Sequence, residues 1–316
     1  MASKQHNHRP VLGVTLKLIS VFMLAGMTAC VKYLGTQIPI GETIFVRGLI
    51  ATLVLVVFAR YTVGLKVLHT QSWQSHARRS LAGTVSMFCL FAALTMTPLA
   101  EVTGITFTSP LFITLLAMPF LGEKIHAFRW AALICGFVGV TIIISPHIGL
   151  STNPQPLTPT THSSLGIVAA FSASLFAALA MIFLRKMSGG EHAITITFYF
   201  LLTSSVCSLL TLPWGWILPN QTQGILLLLI GLFGVLGQLI MTYAYRYAEA
   251  STLAPLDFTN MVLTVAIGYW VFGETPSWSL WLGMPLILIS GLLIFWNEYR
   301  LSHSSKINAE QINLPV

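Results

Sequence analysis

Ten apolar stretches divide the chain, and each is close to the ~20 residues that a helix needs to cross the hydrocarbon core of a bilayer. Hydrophobic residues make up 55% of the sequence and charged residues only 8%, whereas a soluble domain carries about 25% charged residues. The sequence therefore predicts an all-α integral membrane protein with ten transmembrane helices. The stretches cover approximately residues 11–31, 42–60, 80–98, 101–121, 128–146, 164–184, 192–213, 224–245, 250–272 and 278–296.

The first stretch follows the basic segment "MASKQHNHRP", as a cleaved signal peptide would, and "MTAC" at 27–30 resembles a lipoprotein cleavage site. Nine further stretches follow, and Lys32-Tyr33-Leu34 continues the helical pattern. Retention of the first span is therefore favoured over cleavage.

Lys and Arg residues are distributed unevenly between the connections. Fourteen of the 16 are assigned to the termini or to every second connection, with Lys17 of the first stretch counted in the N-terminal set, and Lys32 and Arg47 are the two exceptions. Cytoplasmic loops of membrane proteins carry this excess of positive charge, so both termini are predicted to be cytoplasmic. The net charge of +7 forms no basic helix or basic-aromatic stripe; we expect the lipid bilayer as a partner and no nucleic acid.

Gly-Glu pairs recur at related positions in the two halves. Gly41-Glu42 and Gly190-Glu191 open spans two and seven, 149 residues apart; Gly122-Glu123 and Gly273-Glu274 close spans four and nine, 151 residues apart. A five-span unit crosses the membrane an odd number of times, so its copy enters from the opposite face. The pattern predicts two inverted five-helix repeats, the build of many secondary transporters.

This division predicts a first repeat at 1–149, an external Pro/Thr/Ser-rich linker at 150–163, a second repeat at 164–298 and a cytoplasmic tail at 299–316.

Ten spans in two repeats, "FVRG" at 45–48 and the Gly-Glu hairpins resemble the drug/metabolite transporter superfamily, EamA type, over about residues 10–298. The segments "YRYAEASTLAPLDFTNMVLTVAIGYWVFGE" (245–274) and "FYFLLTSSVCSLLTLPWGW" (198–216) further resemble riboflavin-transporter-like members. The resemblance implies a bacterial inner-membrane transporter. It also implies that Arg47 is the family's recurrent arginine of span two and that spans three, four, eight and nine form the central cavity.

Arg47 and Asp257 are ionisable residues inside predicted spans, where a charge is costly unless it is paired or functional. Arg47 either orients substrate or reaches the interface with its long side chain. Asp257 follows Pro255, which weakens the helix, and Gly104–Thr106 occupies the matching place in the first half. Asp257 is therefore a candidate for binding substrate or a coupling proton, with a tie to a neighbouring backbone as the alternative.

Other candidates follow from aromatic, hydroxyl and amide groups that could meet a small amphipathic molecule. Packing, interface belts and interhelical hydrogen bonds are the alternatives for these groups. The predicted substrate-binding residues are Arg47, Phe88, Phe91, Thr106, Phe107, Ser109, Gln238, Tyr243, Asp257, Phe258 and Asn260. The predicted gating or capping residues are Glu101, Glu123, Arg246, Glu249 and Glu274.

The favoured function is secondary transport of a small metabolite, with riboflavin uptake as the first substrate to consider. An S-adenosylmethionine carrier and an amino-acid or drug exporter remain alternatives, as does a passive channel. An intramembrane enzyme is disfavoured because G-x-S-x-G and H-E-x-x-H patterns are absent from the sequence. The absence of a Walker A pattern indicates that ATP does not drive transport directly. We expect no cofactor and no metal. "GFVG" at 136–139 is a candidate for close helix packing or for a homodimer contact.

Overall fold

The computed structural model describes residues 10–70, 72–121, 127–145, 164–187, 191–247, 253, 256–293 and 296. Within these ranges the chain is helical and contains no strand. Short 3₁₀ helices at Leu65–Leu68 and Leu212–Trp214 follow α2 and α8. The α-helices are α1 Pro10–Leu34, α2 Ile40–Thr62, α3 Trp73–Met96, α4 Leu99–Thr106, α5 Ser109–Leu121, α6 Ala127–Ile144, α7 Ser164–Met187, α8 Ala193–Leu209, α9 Gln221–Tyr247, α10 Asp257–Phe272 and α11 Trp278–Leu293.

Six of the described helical segments are long and apolar enough to cross a membrane, and four shorter apolar helices accompany them. Helices α4 and α5 together form one of the six, Leu99–Phe120. These segments correspond to the ten apolar stretches of the sequence. The start of α3 differs from the prediction: the helix begins at Trp73, seven residues before the start predicted for span three. The helix therefore contains Arg79, which the sequence had placed at a cytoplasmic connection.

Proline and glycine set several helix ends. Pro39 precedes α2 and Pro98 precedes α4, each with extended backbone that starts the helix. Gly273 ends α10 in the left-handed conformation at φ 66°, which a residue without Cβ adopts readily. The backbone N–H of Glu274 then donates to Gly268 O at 2.9 Å. This turn fixes the place of the Glu274 carboxylate just beyond α10.

The fourth span is broken at Phe107 and Thr108, between α4 and α5. Pro110 lacks an N–H donor, so it cannot continue the hydrogen bonding of α4. The hydroxyls of Thr108 and Ser174 donate to Ile105 O at 2.7 and 3.2 Å. Backbone groups in a bilayer need such internal partners, and these bonds make the break tolerable. The weakness predicted at Gly104–Thr106 thus lies just after those residues.

Helix packing pairs the two halves reciprocally. Helix α1 packs most extensively on α9, and α7, the sixth span, packs on α3 in the same way. Helix α2 packs on α8 and α9, while α8 packs on α2 and α3. When each span of one half is replaced by the corresponding span of the other half, five spans away, the same pairs of packed helices result. The main core lies where α1, α3, α4, α7 and α9 meet.

Helices α6 and α11 touch through glycines. A Cβ placed on Gly139 would lie 2.6 Å from Gly283 O, and a Cβ on Gly283 would overlap Gly139 O. Ser290 Oγ also donates to Ala132 O at 2.5 Å. The "GFVG" segment therefore packs within the chain through Gly139, as close-packed small residues do.

Candidate functional site

Lys32 and Glu274 join three parts of the bundle at one end. Lys32 Nζ lies 2.6 Å from Glu274 Oε1 and donates to Thr97 O at 2.7 Å. Glu274 Oε2 accepts from Leu99 N at 2.8 Å. Both charged side chains are only 13% exposed. The arrangement links the last turn of α1, the start of α4 and the end of α10, and we call this side of the bundle the Lys32 end.

Glu42 forms a second contact at the Lys32 end. The side chain sits in the first turn of α2, is buried, and accepts from Ile217 N at 3.2 Å. Gly41 lets the two segments approach, because a Cβ there would overlap Thr211 Oγ1. Trp216 Nε1 donates to the same hydroxyl at 3.0 Å. Glu42 therefore attaches the start of α2 to the connection that follows α8.

Glu191 forms the corresponding contact at the opposite end, which we call the Glu191 end. The carboxylate precedes α8 and accepts from Thr70 Oγ1 at 2.6 Å and Ser72 Oγ at 2.5 Å. His76 Nε2 lies 3.5 Å from its other oxygen. The hydrogen bonds from Ser72 and Thr70 hold the pKa of Glu191 below its usual value, because they favour the ionised form.

The two glutamate contacts are reciprocal. Glu42, at the start of α2, holds the connection after α8, and Glu191, at the start of α8, holds the connection after α2. A single pair of facing helices is thus fastened once at each end.

A cavity of about 120 Å³ lies between α2, α3, α8 and α9. Most of its wall is apolar, and its polar groups come from Arg47, Arg79, Thr197 and Gln238. Among the described residues that line it, none is acidic. The lining consists of Arg47, Ala51, Leu55, Arg79, Ile194, Thr197, Phe200, Leu201, Gly234, Val235, Gln238 and Leu239.

Arg47 reaches the cavity from α2. Its Nη1 donates to Met87 Sδ at 3.0 Å, a weak acceptor, and its Nε is buried without a hydrogen-bond acceptor. Gly234 makes room for the guanidinium, since a Cβ there would lie 2.9 Å from Nε. The side chain is therefore directed into the bundle at this depth.

Arg79 reaches the same cavity from α3. Its guanidinium carbon lies 4.7 Å from the ring centroid of Phe200, a cation–π contact. Nε and Nη1 are buried without acceptors, and a Cβ on Gly83 would lie 2.6 Å from Nη1. Two arginines thus face one cavity with hydrogen-bond donors to spare.

Of the predicted substrate-binding residues, the structure brings Arg47 and Gln238 together in this cavity. Phe88 lines a separate, more open groove with Ile40 and Trp214. Phe91 is 1% exposed and belongs to the main core. Spans two, three, seven and eight enclose this cavity. The central cavity between spans three, four, eight and nine that the family resemblance implies stays a prediction.

The other described candidates hold positions outside the cavity lining. Thr106 Oγ1 donates to Thr103 O in its own helix, and Ser109 Oγ donates to Ser174 O. Phe107 lies at the α4–α5 break, and the ring of Tyr243 lies 6.1 Å from that of Phe58. Asn260 Oδ1 is buried without a donor.

Glu101 is buried in the first turn of α4 and Glu274 belongs to the Lys32 end. Glu123 and Glu249 lie outside the described residues, and the side chains of Arg246, Asp257 and Phe258 are likewise outside what is described. The roles predicted for these residues remain predictions.

Sequence reasoning missed Arg79, because the Arg78-Arg79 pair was counted with the cytoplasmic connection. The seven-residue extension of α3 carries the signal: Trp73 starts the helix, so Arg79 lies nearly two turns inside it. Glu42 and Glu191 were recognised as repeat markers, but their partners lie 175 and 121 residues away and were not predicted.

The family profile and the relatives that match this chain are all those of transporters. The profile of the EamA-like transporter family matches residues 11–145 and 164–296. A riboflavin transporter of Rhizobium johnstonii is 32% identical over 75% of this chain and 75% of its own length. An S-adenosylmethionine uptake transporter of Rickettsia bellii is 30% identical over 91% and 94%. A pseudopaline exporter of Pseudomonas aeruginosa is 29% identical over 93% and 97%.

A solved crystal structure with 16% sequence identity has the same fold, with a TM-score of 0.61 over 92% of this chain and 98% of its own. The protein is a multi-pass membrane protein that transports small molecules and is not an enzyme. With both halves matched by one family profile, the chain belongs to the EamA-like transporter family.

Proposed function

We propose that this chain is a secondary transporter of a small metabolite in the bacterial inner membrane, which works by alternating access between two inverted five-helix repeats. The reciprocal contacts of Glu42 and Glu191 carry this proposal. Each fastens the α2–α8 pair at a different end of the bundle. Release of one contact while the other holds would open the bundle to one side at a time, as alternating access requires.

The repeats are 1–149 and 164–298, joined by an external linker at 150–163 and followed by a tail at 299–316, with both termini cytoplasmic. Three observations support this division: the family profile matches twice, the helix pairing is reciprocal, and basic residues concentrate at alternate connections. In this orientation the Lys32 end faces outward and the Glu191 end faces the cytoplasm.

The cavity that contains Arg47 and Arg79 is the proposed substrate site, since it lies between the two repeats. Its volume of about 120 Å³ is smaller than the ~300–1,000 Å³ common for ligand pockets. A metabolite would enter only as helices part. The structure thus supports a state in which the site is narrow and the Lys32 end is fastened.

Riboflavin is the first substrate to test, with S-adenosylmethionine second and amino-acid or drug export as a further alternative. The names of the relatives support the first two. In the cavity, the ring of Phe200 and the polar groups of Thr197 and Gln238 offer stacking and hydrogen bonds to such molecules.

A growth assay tests the assignment to riboflavin. The chain is expressed in a bacterial riboflavin auxotroph without an importer, and growth is measured at micromolar riboflavin. We expect rescue by the wild type, loss of rescue by Arg47→Gln, and rescue by Arg60→Gln at equal membrane levels. Arg60 is a matched control because it lies on the same helix and is exposed.

Failure of a well-expressed wild type to rescue growth would exclude riboflavin import. Uptake of S-adenosylmethionine and amino acids into proteoliposomes would then be measured in the same way. Saturable uptake of none of these, together with a non-saturating current, would indicate a channel and contradict alternating access.

Asp257 is a proposed site for substrate or a coupling proton. We expect Asp257→Asn to reduce uptake and to flatten its dependence on pH. Unchanged uptake and an unchanged pH profile would remove Asp257 from the site.

A further inference from the structure

Two arginines that share a cavity inside a membrane protein need negative charge. A guanidinium held at membrane depth without an acceptor is costly, and an unpaired buried charge destabilises a fold by several kcal/mol. Here Nε of Arg47 and both Nε and Nη1 of Arg79 are buried without acceptors. No acidic residue occurs among the described lining residues.

Glycines make room for both guanidinium groups. A Cβ on Gly234 would lie 2.9 Å from Arg47 Nε, and a Cβ on Gly83 would lie 2.6 Å from Arg79 Nη1. Each guanidinium thus occupies space that a larger residue would take, at Gly234 on the facing helix α9 or at Gly83 on the next turn of α3. The arginines are directed into the cavity instead of extending along their helices toward either interface.

The arginines approach the cavity from opposite ends. Arg47 lies seven residues into α2 from the Lys32 end, and Arg79 lies six residues into α3 from the Glu191 end. At 1.5 Å per residue, each is about 10 Å of helix from its own end. A ligand that enters from either side would therefore meet one guanidinium near the mouth and the other beyond it.

We infer that the site takes an amphipathic metabolite through an anionic oxygen group, a carboxylate or a phosphate, which is bound by Arg47 and Arg79. The planar fork of guanidinium N–H donors matches the oxygens of such a group, and the free donors of both side chains supply the bonds. The apolar wall formed by Leu55, Leu201 and Val235 would contact the rest of the molecule.

This inference rests on the transporter function proposed above, and it ranks substrates by charge. Riboflavin has no ionised group at neutral pH, whereas S-adenosylmethionine carries a carboxylate but also a sulfonium and an ammonium. A metabolite with net negative charge fits two unpaired guanidinium groups better than either molecule.

Binding to the purified full-length chain in detergent tests the inference without requiring transport. The probes are two pairs that differ in charge: nicotinate with nicotinamide, and riboflavin 5′-phosphate with riboflavin. Ligand-induced thermal stabilisation is titrated for each compound, at concentrations up to the millimolar range. The first pair reports on a carboxylate and the second on a phosphate.

We expect the anionic member of at least one pair to bind about tenfold or more tightly than its neutral partner, since hydrogen bonds between charged groups are roughly twice as strong as those between neutral groups. Arg47→Gln and Arg79→Gln should each abolish this preference. Arg78→Gln and Arg60→Gln should retain it, because Arg78 and Arg60 are exposed and lie outside the cavity lining.

The ligand-free variants provide a second readout. If Arg79 is unpaired until an anion binds, Arg79→Gln should leave the melting temperature of the ligand-free protein unchanged or raise it. The reason is that the substitution removes a buried charge without a partner. A purely structural arginine would show the opposite, with a lower melting temperature for Arg79→Gln than for Arg78→Gln.

Equal binding of both members of each pair would overturn the inference, and so would a charge preference that survives Arg79→Gln. No stabilisation by either anion would also overturn it, because the unsatisfied N–H donors of Arg47 and Arg79 should bind small anions at millimolar concentration. Saturable uptake of riboflavin alongside such a result would leave the transporter function intact. Anion binding without saturable uptake of any tested compound, neutral or charged, would instead contradict the proposed transporter function.

Discussion

Lys32 Nζ and Glu274 Oε1 lie 2.6 Å apart and connect the last turn of α1 to the residue after Gly273 at the end of α10. The same ammonium donates to Thr97 O, and the same carboxylate accepts from Leu99 N. Because four groups from three chain segments share this contact, loss of one charge would leave the others without their partner. The pair is therefore the strongest candidate for holding the Lys32 end closed.

The first prediction concerns this closure. Lys32→Gln removes a charge-assisted contact of ~1.5–3 kcal/mol and should favour conformations open at the Lys32 end. Cys30 lies one half-turn before Lys32, is half-buried, and is a native reporter. We expect the rate of Cys30 modification by a membrane-impermeant maleimide, measured by mass spectrometry, to rise about fivefold or more.

Lys66→Gln is the matched control, since Lys66 is exposed on the connection after α2. In Lys66→Gln, the rate of Cys30 modification should equal the wild-type rate. An unchanged rate in Lys32→Gln would show that the ion pair does not control access at this end.

The second prediction uses the reciprocity of the glutamates. Glu42→Gln weakens the contact with Ile217 N at the Lys32 end, and Glu191→Gln weakens the contacts with Thr70 and Ser72 at the other end. In an alternating-access protein, these changes should shift the population in opposite directions. We expect Cys30 modification to become faster in Glu42→Gln and slower in Glu191→Gln. Shifts of the same sign would contradict the proposal that the two contacts are alternating fastenings.

The third prediction is a pH dependence. Hydrogen bonds from Ser72 and Thr70 lower the pKa of Glu191 in the folded state, so the ionised carboxylate stabilises the fold. This contribution is complete above the unfolded pKa of about 4.3 and is lost as pH falls through the lower folded pKa. The difference in melting temperature between wild type and Glu191→Gln should therefore be constant near neutral pH and shrink in acid.

Glu191→Gln is the reference for the wild type at each pH, because it lacks the titrating carboxyl group while keeping the shape of the side chain. A difference that grows as pH falls would have the wrong sign for a depressed pKa. Such a result would show that Glu191 is better stabilised in its protonated form.

The fourth prediction concerns the contact between α6 and α11. Gly283→Ala places a Cβ against Gly139 O and Ile143 Cγ1, and overpacking of this kind costs ~1–3 kcal/mol. Gly291→Ala, on the same helix, meets nothing within 4 Å and should gain up to about 1 kcal/mol from helix propensity. The melting temperature should fall for the first variant and hold or rise for the second. Equal effects of the two substitutions would mean that the helices are not in contact there.

Several features could be predicted from sequence because they depend on local composition. Apolar runs locate the six helices of spanning length and the four shorter apolar helices, since a segment in the bilayer must satisfy its own backbone. Gly104–Thr106 indicated a weak point in span four, and the structure breaks that span just afterwards, at Phe107 and Thr108. The weak point predicted at Pro255 lies outside the described residues. The matched Gly-Glu pairs contributed to the resemblance to EamA-type transporters, and the family profile confirms that resemblance. The inverted repeat stays a prediction.

The proposed substrate site could be predicted only in part. Arg47 was singled out because a lone charge inside an apolar run is conspicuous, and the structure places it in the cavity. Arg79 stood beside Arg78 at the edge of an apolar run, where the same residue type more often marks a cytoplasmic loop. Only the position of the first turn of α3 shows whether Arg79 lies in a cytoplasmic loop or inside the helix, facing the cavity.

The sequence by itself determined which segments are helical and apolar, because both properties depend on residues within a few positions of one another. The tertiary structure decided which polar groups meet. Ile217 N reaches Glu42 across 175 residues, and Leu99 N reaches Glu274 across the same separation. Such contacts depend on how helices pair in the folded bundle, and helix pairing is a property of whole packed surfaces that no local pattern records.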